Sequence, residues 1–99
     1  MEKQASRNSE YVLHLYVCGA TARSQRALIN IKAICNDHLK GSYDLQVTDI
    51  FQSPGQTNKD NIVVAPTLIK KNPLPVRRFI GDLSDTEKVI SGLAIRQLD

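Results

Sequence analysis

The chain has 99 residues, 41% of them apolar and 23% charged, and its formal net charge is +3. Such a length makes one domain with a modest core, and the composition argues against a disulfide scaffold or a largely disordered chain. The longest mostly apolar run, Tyr11–Val17, is too short to cross a bilayer, and no signal-peptide pattern is present. We therefore expect a cytoplasmic protein without membrane contact, with one domain over residues 11–99 and a frayed start over residues 1–10.

The first half of the chain has the pattern of a strand, a helix and a second strand. Tyr11–Val17 is apolar at both alternating positions, which is typical of an interior strand covered on both sides. Ser24 is the predicted N-cap of the helix and Gly41 its predicted C′ residue. Between them, apolar residues recur at helical spacing: Ala27, Leu28, Ile31, Ile34, Cys35 and Leu39. Leu45–Phe51 is predicted as the second strand, parallel to the first through a right-handed crossover.

The second half begins with a predicted turn over residues 53–58 and a short helix at Lys59–Ile62. Val63–Ile69 and Val76–Ile80 have the apolar, β-branched composition of strands, and a proline-containing turn joins them. These two segments are predicted to form a hairpin.

A final helix is predicted to begin at Ser84. Ser84 and Glu87 have the spacing of a capping box, in which a hydroxyl and a carboxylate satisfy two free N–H groups at the helix start. Gly92 lies inside this helix at a cost of about 1 kcal/mol relative to alanine. The element order, a βαβ unit followed by a hairpin and a terminal helix, predicts a thioredoxin-like α/β fold. Pro66 then lies at the head of the third strand, where that fold carries a proline and a cis bond would be accommodated.

The cysteines give weak support for redox chemistry. A thioredoxin-like oxidoreductase needs a pair of thiols at a helix N-terminus, and this chain has no Cys-x-x-Cys motif. Cys18 ends the first strand instead of starting the helix, and Cys35 lies on the apolar stripe, where a free cysteine is usually part of the core. A thioredoxin-like thiol oxidoreductase that uses Cys18 is the alternative hypothesis.

No catalytic, metal, cofactor or nucleic-acid site is predicted. His14 and His38 are far apart and no paired Cys/His spacing occurs, so His14 is expected to be a hydrogen-bonded core residue. The glycine-rich loops that bind phosphate are missing from the sequence. Phe79 is the only aromatic residue near the basic residues at positions 70–78. Nucleic-acid bases would therefore lack the aromatic side chains on which they usually stack.

Residues 70–78 carry four basic side chains and no acidic one. The four are Lys70, Lys71, Arg77 and Arg78. Basic side chains on a hairpin can simply protect a sheet edge from aggregation. The other interpretation is that they face an acidic surface on a partner or across a homo-oligomer, so that association depends on salt. Because no catalytic, metal or cofactor site is predicted, these sequence features favour a protein-interaction module.

Several segments of the chain resemble the KaiB family of circadian clock proteins. The most specific segments are Ala65–Leu68 and Leu74–Ser84, the latter with its Pro-Val-Arg-Arg and Gly-Asp-Leu-Ser strings. The resemblance covers about residues 11–95 and includes Tyr11–Val17, Ser24–Leu28, Gly41–Tyr43 and Glu87–Leu93.

The resemblance implies a non-enzymatic regulator. KaiB proteins bind the ring-shaped ATPase KaiC and compete with a histidine kinase that carries a related thioredoxin-like domain. They act in circadian timing, and non-clock relatives act in stress adaptation. The family is also metamorphic. Its second half repacks between a resting homo-oligomer, a dimer or tetramer, and a monomeric thioredoxin-like form that binds KaiC.

The resemblance also implies particular site residues. The partner-binding residues would be Lys59, Ile62, Pro66, Lys70, Lys71, Pro73, Pro75, Arg77 and Arg78. The fold-switch residues would be Pro66, Gly81, Asp82 and Gly92. The glycine beside β-branched Val89 and Ile90 gives conflicting local signals, which is consistent with two packings of similar free energy. If the terminal segment is more helical in the binding form, Gly92→Ala should favour that form by about 1 kcal/mol.

Overall fold

The computed structural model describes residues 11–52 and 66–93. They form strands β1 (Tyr11–Val17), β2 (Tyr43–Asp49), β3 (Thr67–Asn72) and β4 (Arg77–Ile80), with helix α1 (Ala22–Ile34) after β1 and helix α2 (Thr86–Leu93) after β4. Helix α1 continues into one π-helical turn, Cys35–Leu39. The predicted turn at 53–58, the short helix at Lys59–Ile62 and the Ala65–Pro66 bond lie outside the described residues.

The four strands form one sheet in the order β2-β1-β3-β4. β1 pairs with β2 in parallel and with β3 antiparallel, and β3 and β4 form an antiparallel hairpin. This is the predicted thioredoxin-like arrangement. The predicted bounds of β1 are confirmed, whereas β2 begins two residues before its predicted start because Tyr43 already pairs with Tyr11.

Strand β3 extends further than the sequence pattern predicts. It ends at Asn72 rather than at Ile69, because its pairing with β1 continues past a bulge as far as Val12. Lys70 and Lys71 therefore belong to the strand, and their side chains point to opposite faces of the sheet.

The start of α1 also differs from the prediction. The N-cap is Thr21 and not Ser24: the Oγ1 atom of Thr21 accepts a hydrogen bond from the Ser24 N–H at 3.3 Å. Ser24 is buried, and its Oγ atom accepts a hydrogen bond from the amide of Cys18 at 2.9 Å. The hydroxyl predicted to cap the helix thus joins the helix to the end of β1. The predicted end near Gly41 is confirmed, with Gly41 at a φ of +91°.

Helix α2 is capped by Asp85 and not by Ser84. The Oδ1 atom of Asp85 accepts from the Lys88 N–H at 3.2 Å, and its carbonyl accepts from the Val89 N–H at 3.1 Å. The predicted capping box at Ser84 and Glu87 is therefore wrong by one residue. Ser84 instead donates its own N–H to the Oδ1 atom of Asp82 at 3.1 Å, as in an Asx turn.

The main core lies between one face of the sheet and the two helices. Leu15 of β1, Leu68 of β3, Ile31 of α1 and Leu93 of α2 are all fully buried in one apolar cluster. Cys35 belongs to the same cluster, as the sequence predicts, and burial raises the pKa of its thiol to about 12.

The opposite face of the sheet holds the buried histidine. The Nε2 atom of His14 lies 2.7 Å from the Oγ1 atom of Thr48 on β2. The imidazole also stacks on the ring of Tyr16, with ring centroids 4.2 Å apart. The prediction of a hydrogen-bonded core histidine is confirmed.

Replacement of Ile31 tests the buried face of α1. Ile31→Ala should lower the free energy of unfolding by about 2–5 kcal/mol, because a fully buried side chain is removed and a cavity remains. Ile29 lies on the same helix but is 65% exposed, so Ile29→Ala should change this free energy by less than about 0.5 kcal/mol. Urea unfolding followed by circular dichroism measures both values. Equal losses would contradict the assigned face.

Candidate protein-interaction site

The β3–β4 hairpin presents only part of its basic charge to solvent. Arg77 and Arg78 are exposed and Lys71 is half-buried, whereas Lys70 is only 1% exposed. The expectation that all four basic side chains face a partner is therefore wrong for Lys70.

The burial of Lys70 follows from strand alternation. Lys70 lies two residues after Leu68, so it shares the core face of β3, and it pairs with Leu13 on one side and Arg77 on the other. Burial lowers the pKa of Lys70, and the neighbouring Arg77 lowers it further. In this packing the Lys70 side chain is buried and is not available to a partner.

Large apolar side chains accompany the exposed cations. Leu74, Val76 and Ile80 are 74%, 53% and 65% exposed, respectively. Pro75 between them is exposed and Pro73 is half-buried, and the peptide bonds preceding both prolines are cis. Exposed apolar groups set among arginines are typical of a protein-binding surface. We call residues 70–80 the basic hairpin.

The loop after β4 joins the hairpin to the rest of the sheet. Gly81 donates its N–H to the carbonyl of Pro66 at 3.0 Å, which closes the far end of the hairpin. Gly81 has a φ of +115°, and the buried Leu83 has a φ of +63°. Positive φ is costly for leucine, so the surrounding contacts must hold the loop in this shape.

Asp82 provides those contacts. Its Oδ2 atom accepts from the Nε atom of Arg26 at 3.1 Å, and its backbone carbonyl accepts from the Nδ2 atom of Asn30 at 2.8 Å. Hydrogen bonds from the Ser84 hydroxyl, from Arg26 and from the Ser84 backbone hold the pKa of Asp82 below its ordinary value. We call this set of bonds the Asp82 latch, because it fastens the second half of the chain to helix α1.

At Gly92, α2 lies directly against Phe79 of β4. A Cβ atom built on Gly92 would overlap the Cε2 atom of Phe79 and lie 2.7 Å from its Cζ atom. The missing side chain is therefore a packing requirement here, and the predicted gain in helix propensity from Gly92→Ala is opposed by a steric clash.

The structure brings together three of the four predicted fold-switch residues. Pro66, Gly81 and Asp82 lie at one end of the hairpin, and Gly92 contacts the hairpin from α2. The predicted partner-binding residues Lys59 and Ile62 lie outside the described part of the chain. Arg26, Asn30 and Phe79 were missed by sequence reasoning. Arg26 binds Asp82, which is 56 positions away in the sequence, and no local sequence pattern predicts such a contact.

Within the described residues, the thiols do not form a redox pair. Cys18 is partly exposed and lies before the N-cap Thr21, while Cys35 is buried beyond the far end of the same helix. Thirteen residues of α-helix place these ends about 20 Å apart, far beyond disulfide reach.

Within residues 11–52 and 66–93, no three or more His, Cys, Asp or Glu side chains are grouped so that they could hold a metal ion. No helix in these two ranges has the length and apolar character that a membrane span needs.

Comparisons with known proteins agree with one another. The KaiB domain model matches residues 14–95 of the chain. The circadian clock oscillator protein KaiB of Rippkaea orientalis is 52% identical over 83 residues, which cover 84% of this chain and 80% of that protein.

Solved structures agree on the fold. The N-terminal domain of SasA from Synechococcus elongatus superposes with a TM-score of 0.69 at 23% identity, over 92% of this chain and 90% of that one. Mitochondrial thioredoxin 3 from Saccharomyces cerevisiae gives 0.67 at 12% identity, over 84% and 78%. At such identities these likenesses support the thioredoxin-like fold alone.

Thiol labelling tests the assignment of the two cysteines. In Cys18→Ser, the remaining Cys35 thiol should stay unlabelled by Ellman's reagent at pH 8 until denaturant is added, because it is buried and its pKa is raised to about 12. In Cys35→Ala, the partly exposed Cys18 should react without denaturant. Rapid labelling of Cys35 in the folded protein would contradict its place in the core.

Proposed function

The chain belongs to the KaiB family, and on this premise we propose that it is a non-enzymatic regulatory protein that binds a KaiC-like ring ATPase in the cytoplasm. The observation that carries the proposal is the family match, which spans residues 14–95 and so includes the whole basic hairpin. The relative named above is called a circadian clock oscillator protein, and a role in clock regulation or stress adaptation would follow from the process that the ATPase serves.

The basic hairpin supports this proposal physically. Lys71, Arg77 and Arg78 stand on a segment without acidic residues, next to exposed Leu74 and Ile80. Such a surface fits an acidic partner, and its charges would steer association at low ionic strength. A protein carrying a domain of the same fold, such as a histidine kinase, would compete for the same site on the ATPase.

We further propose that the described packing is the binding-competent one and that residues 53–95 also adopt a second packing in a resting homo-oligomer. The second packing would have to replace the pairing of β3 with β1, the core contacts of β3 and α2, the Asp82 latch and the fit of Phe79 over Gly92. Because a fold switch requires two packings within a few kcal/mol of each other, the contacts of the resting form would have to offset nearly all of those lost.

A direct binding measurement tests the proposed function. Wild type should bind the purified KaiC-like ATPase of the same organism more weakly at high salt than at low salt, and Arg77→Glu should weaken binding about tenfold or more. Arg77→Glu should keep the fold, because it places a carboxylate beside the buried Lys70. Lys32→Glu, on the exposed face of α1, is the charge-matched control and should bind as wild type does. Absence of wild-type binding would overturn the function.

Gly92→Ala tests the close approach of α2 and β4. The single substitution should destabilise this packing and slow partner binding, because Phe79 must move to admit the new methyl group. Gly92→Ala combined with Phe79→Leu should recover the loss and reveal the helix-propensity gain, about fivefold in the conformational equilibrium. Amide NMR and binding kinetics measure both. If Gly92→Ala alone binds more tightly than wild type, residue 92 does not pack against Phe79 in the binding-competent form.

A further inference from the structure

A groove opens between the outer edge of β4 and the first turn of α2. Its volume is about 390 Å³, and Arg23 at the start of α1 is among the residues that line it. The lining also includes Arg78, Ile80, Lys88 and the buried Val89. A space of this size admits one or two side chains of a partner.

Two of the three cations that line the groove carry no ion pair with a described residue. Neither Arg23 nor Lys88 forms an ion pair with a residue of the described ranges 11–52 and 66–93, whereas Arg26, one turn from Arg23, is held by Asp82. The Nη2 atom of Arg23 lies 3.5 Å from the position that a Cβ on Gly81 would occupy. The guanidinium therefore lies against the loop, and glycine is favoured at this position by its positive φ and not by a lack of space.

The groove suits a single carboxylate better than a phosphate. Its lining has three cations, Arg23, Arg78 and Lys88, and two carboxylates, Asp82 and Asp85. Asp82 is bound by Arg26, and Asp85 caps α2. The surplus of positive charge is small, and a dianion would also face both aspartates. A carboxylate can instead receive paired hydrogen bonds from Arg23.

An apolar contact adjoins the charged one. Ile80 is 65% exposed, lines the groove and lies within the same strand as Arg78. An exposed isoleucine on the same strand as an exposed arginine fits a partner segment in which an acidic residue stands next to an apolar one.

We propose that this groove receives an acidic side chain of the partner ATPase, recognised by Arg23 and Lys88, while Ile80 packs against an apolar neighbour of that acidic residue. The inference rests on the proposed function and adds a second contact to the basic hairpin. It assigns roles to Arg23, Ile80 and Lys88, which sequence patterns did not single out.

Charge reversal at the groove is the test. Arg23→Glu and Lys88→Glu should each weaken binding of the purified ATPase about tenfold or more, and Ile80→Ser should weaken it less. Arg23→Lys should retain part of the affinity, because it keeps the charge but loses the planar fork. Lys32→Glu on α1 is the control for net charge, and circular dichroism monitors folding. In amide NMR, the ATPase should perturb residues 81–89 in wild type and perturb them less in Arg23→Glu, while residues 70–80 of the basic hairpin remain perturbed in both.

Each outcome has a separate meaning. Wild type that fails to bind the ATPase would overturn the proposed function and this inference with it. If wild type binds and both charge reversals match Lys32→Glu, the groove inference is overturned and the proposed function stands. Charge reversals that alter only self-association, measured by analytical ultracentrifugation, would assign the groove to a second copy and overturn the inference.

Discussion

The pairing of β1 on both sides is the interaction on which the rest of the structure depends. Its parallel edge holds β2 and completes the first half, and its antiparallel edge holds β3 and so the whole second half. Helix α1 packs on the same strand and also offers Arg26 and Asn30 to the loop after β4. The second half is therefore attached to the first through one strand ladder, one packed core and the Asp82 latch.

Basic residues of the same type have different roles because of where the fold places them. Arg26 is committed to Asp82 and stabilises the loop, while Lys70 is buried and interacts unfavourably with Arg77. Arg23 forms no ion pair with any residue in the described part of the chain. The number of basic residues in the sequence does not distinguish these roles, because the three side chains differ in how deeply they are buried and in whether an acidic group lies near them. The basic surface that a partner can reach is therefore smaller than the charge pattern of the sequence suggests, because some of the basic side chains are buried or paired.

The sequence predicted the elements whose signals are local. β1 was read correctly because both faces of the strand are apolar, and Cys35 was placed in the core because it lies on the helical stripe. The errors have identifiable causes. Ser84 and Asp85 can both cap a helix, and a sequence does not say which one the turn prefers. Lys70 was predicted to be exposed because charged side chains usually face solvent. Its position in the alternation of β3 instead places it on the buried face of the sheet.

The central position of β1 also has a consequence for synthesis on the ribosome. β1, α1 and β2 leave the ribosome before β3, and the chain from the end of β2 to the end of β3 follows over about one to five seconds at about 5–20 residues per second. A compact βαβ unit dominated by nearby contacts can fold well within that interval. During that time the antiparallel edge of β1 has no native strand beside it. The nascent chain therefore passes through a stage with an open, apolar sheet edge, at which chaperones or neighbouring nascent chains can bind before β3 emerges and pairs with β1.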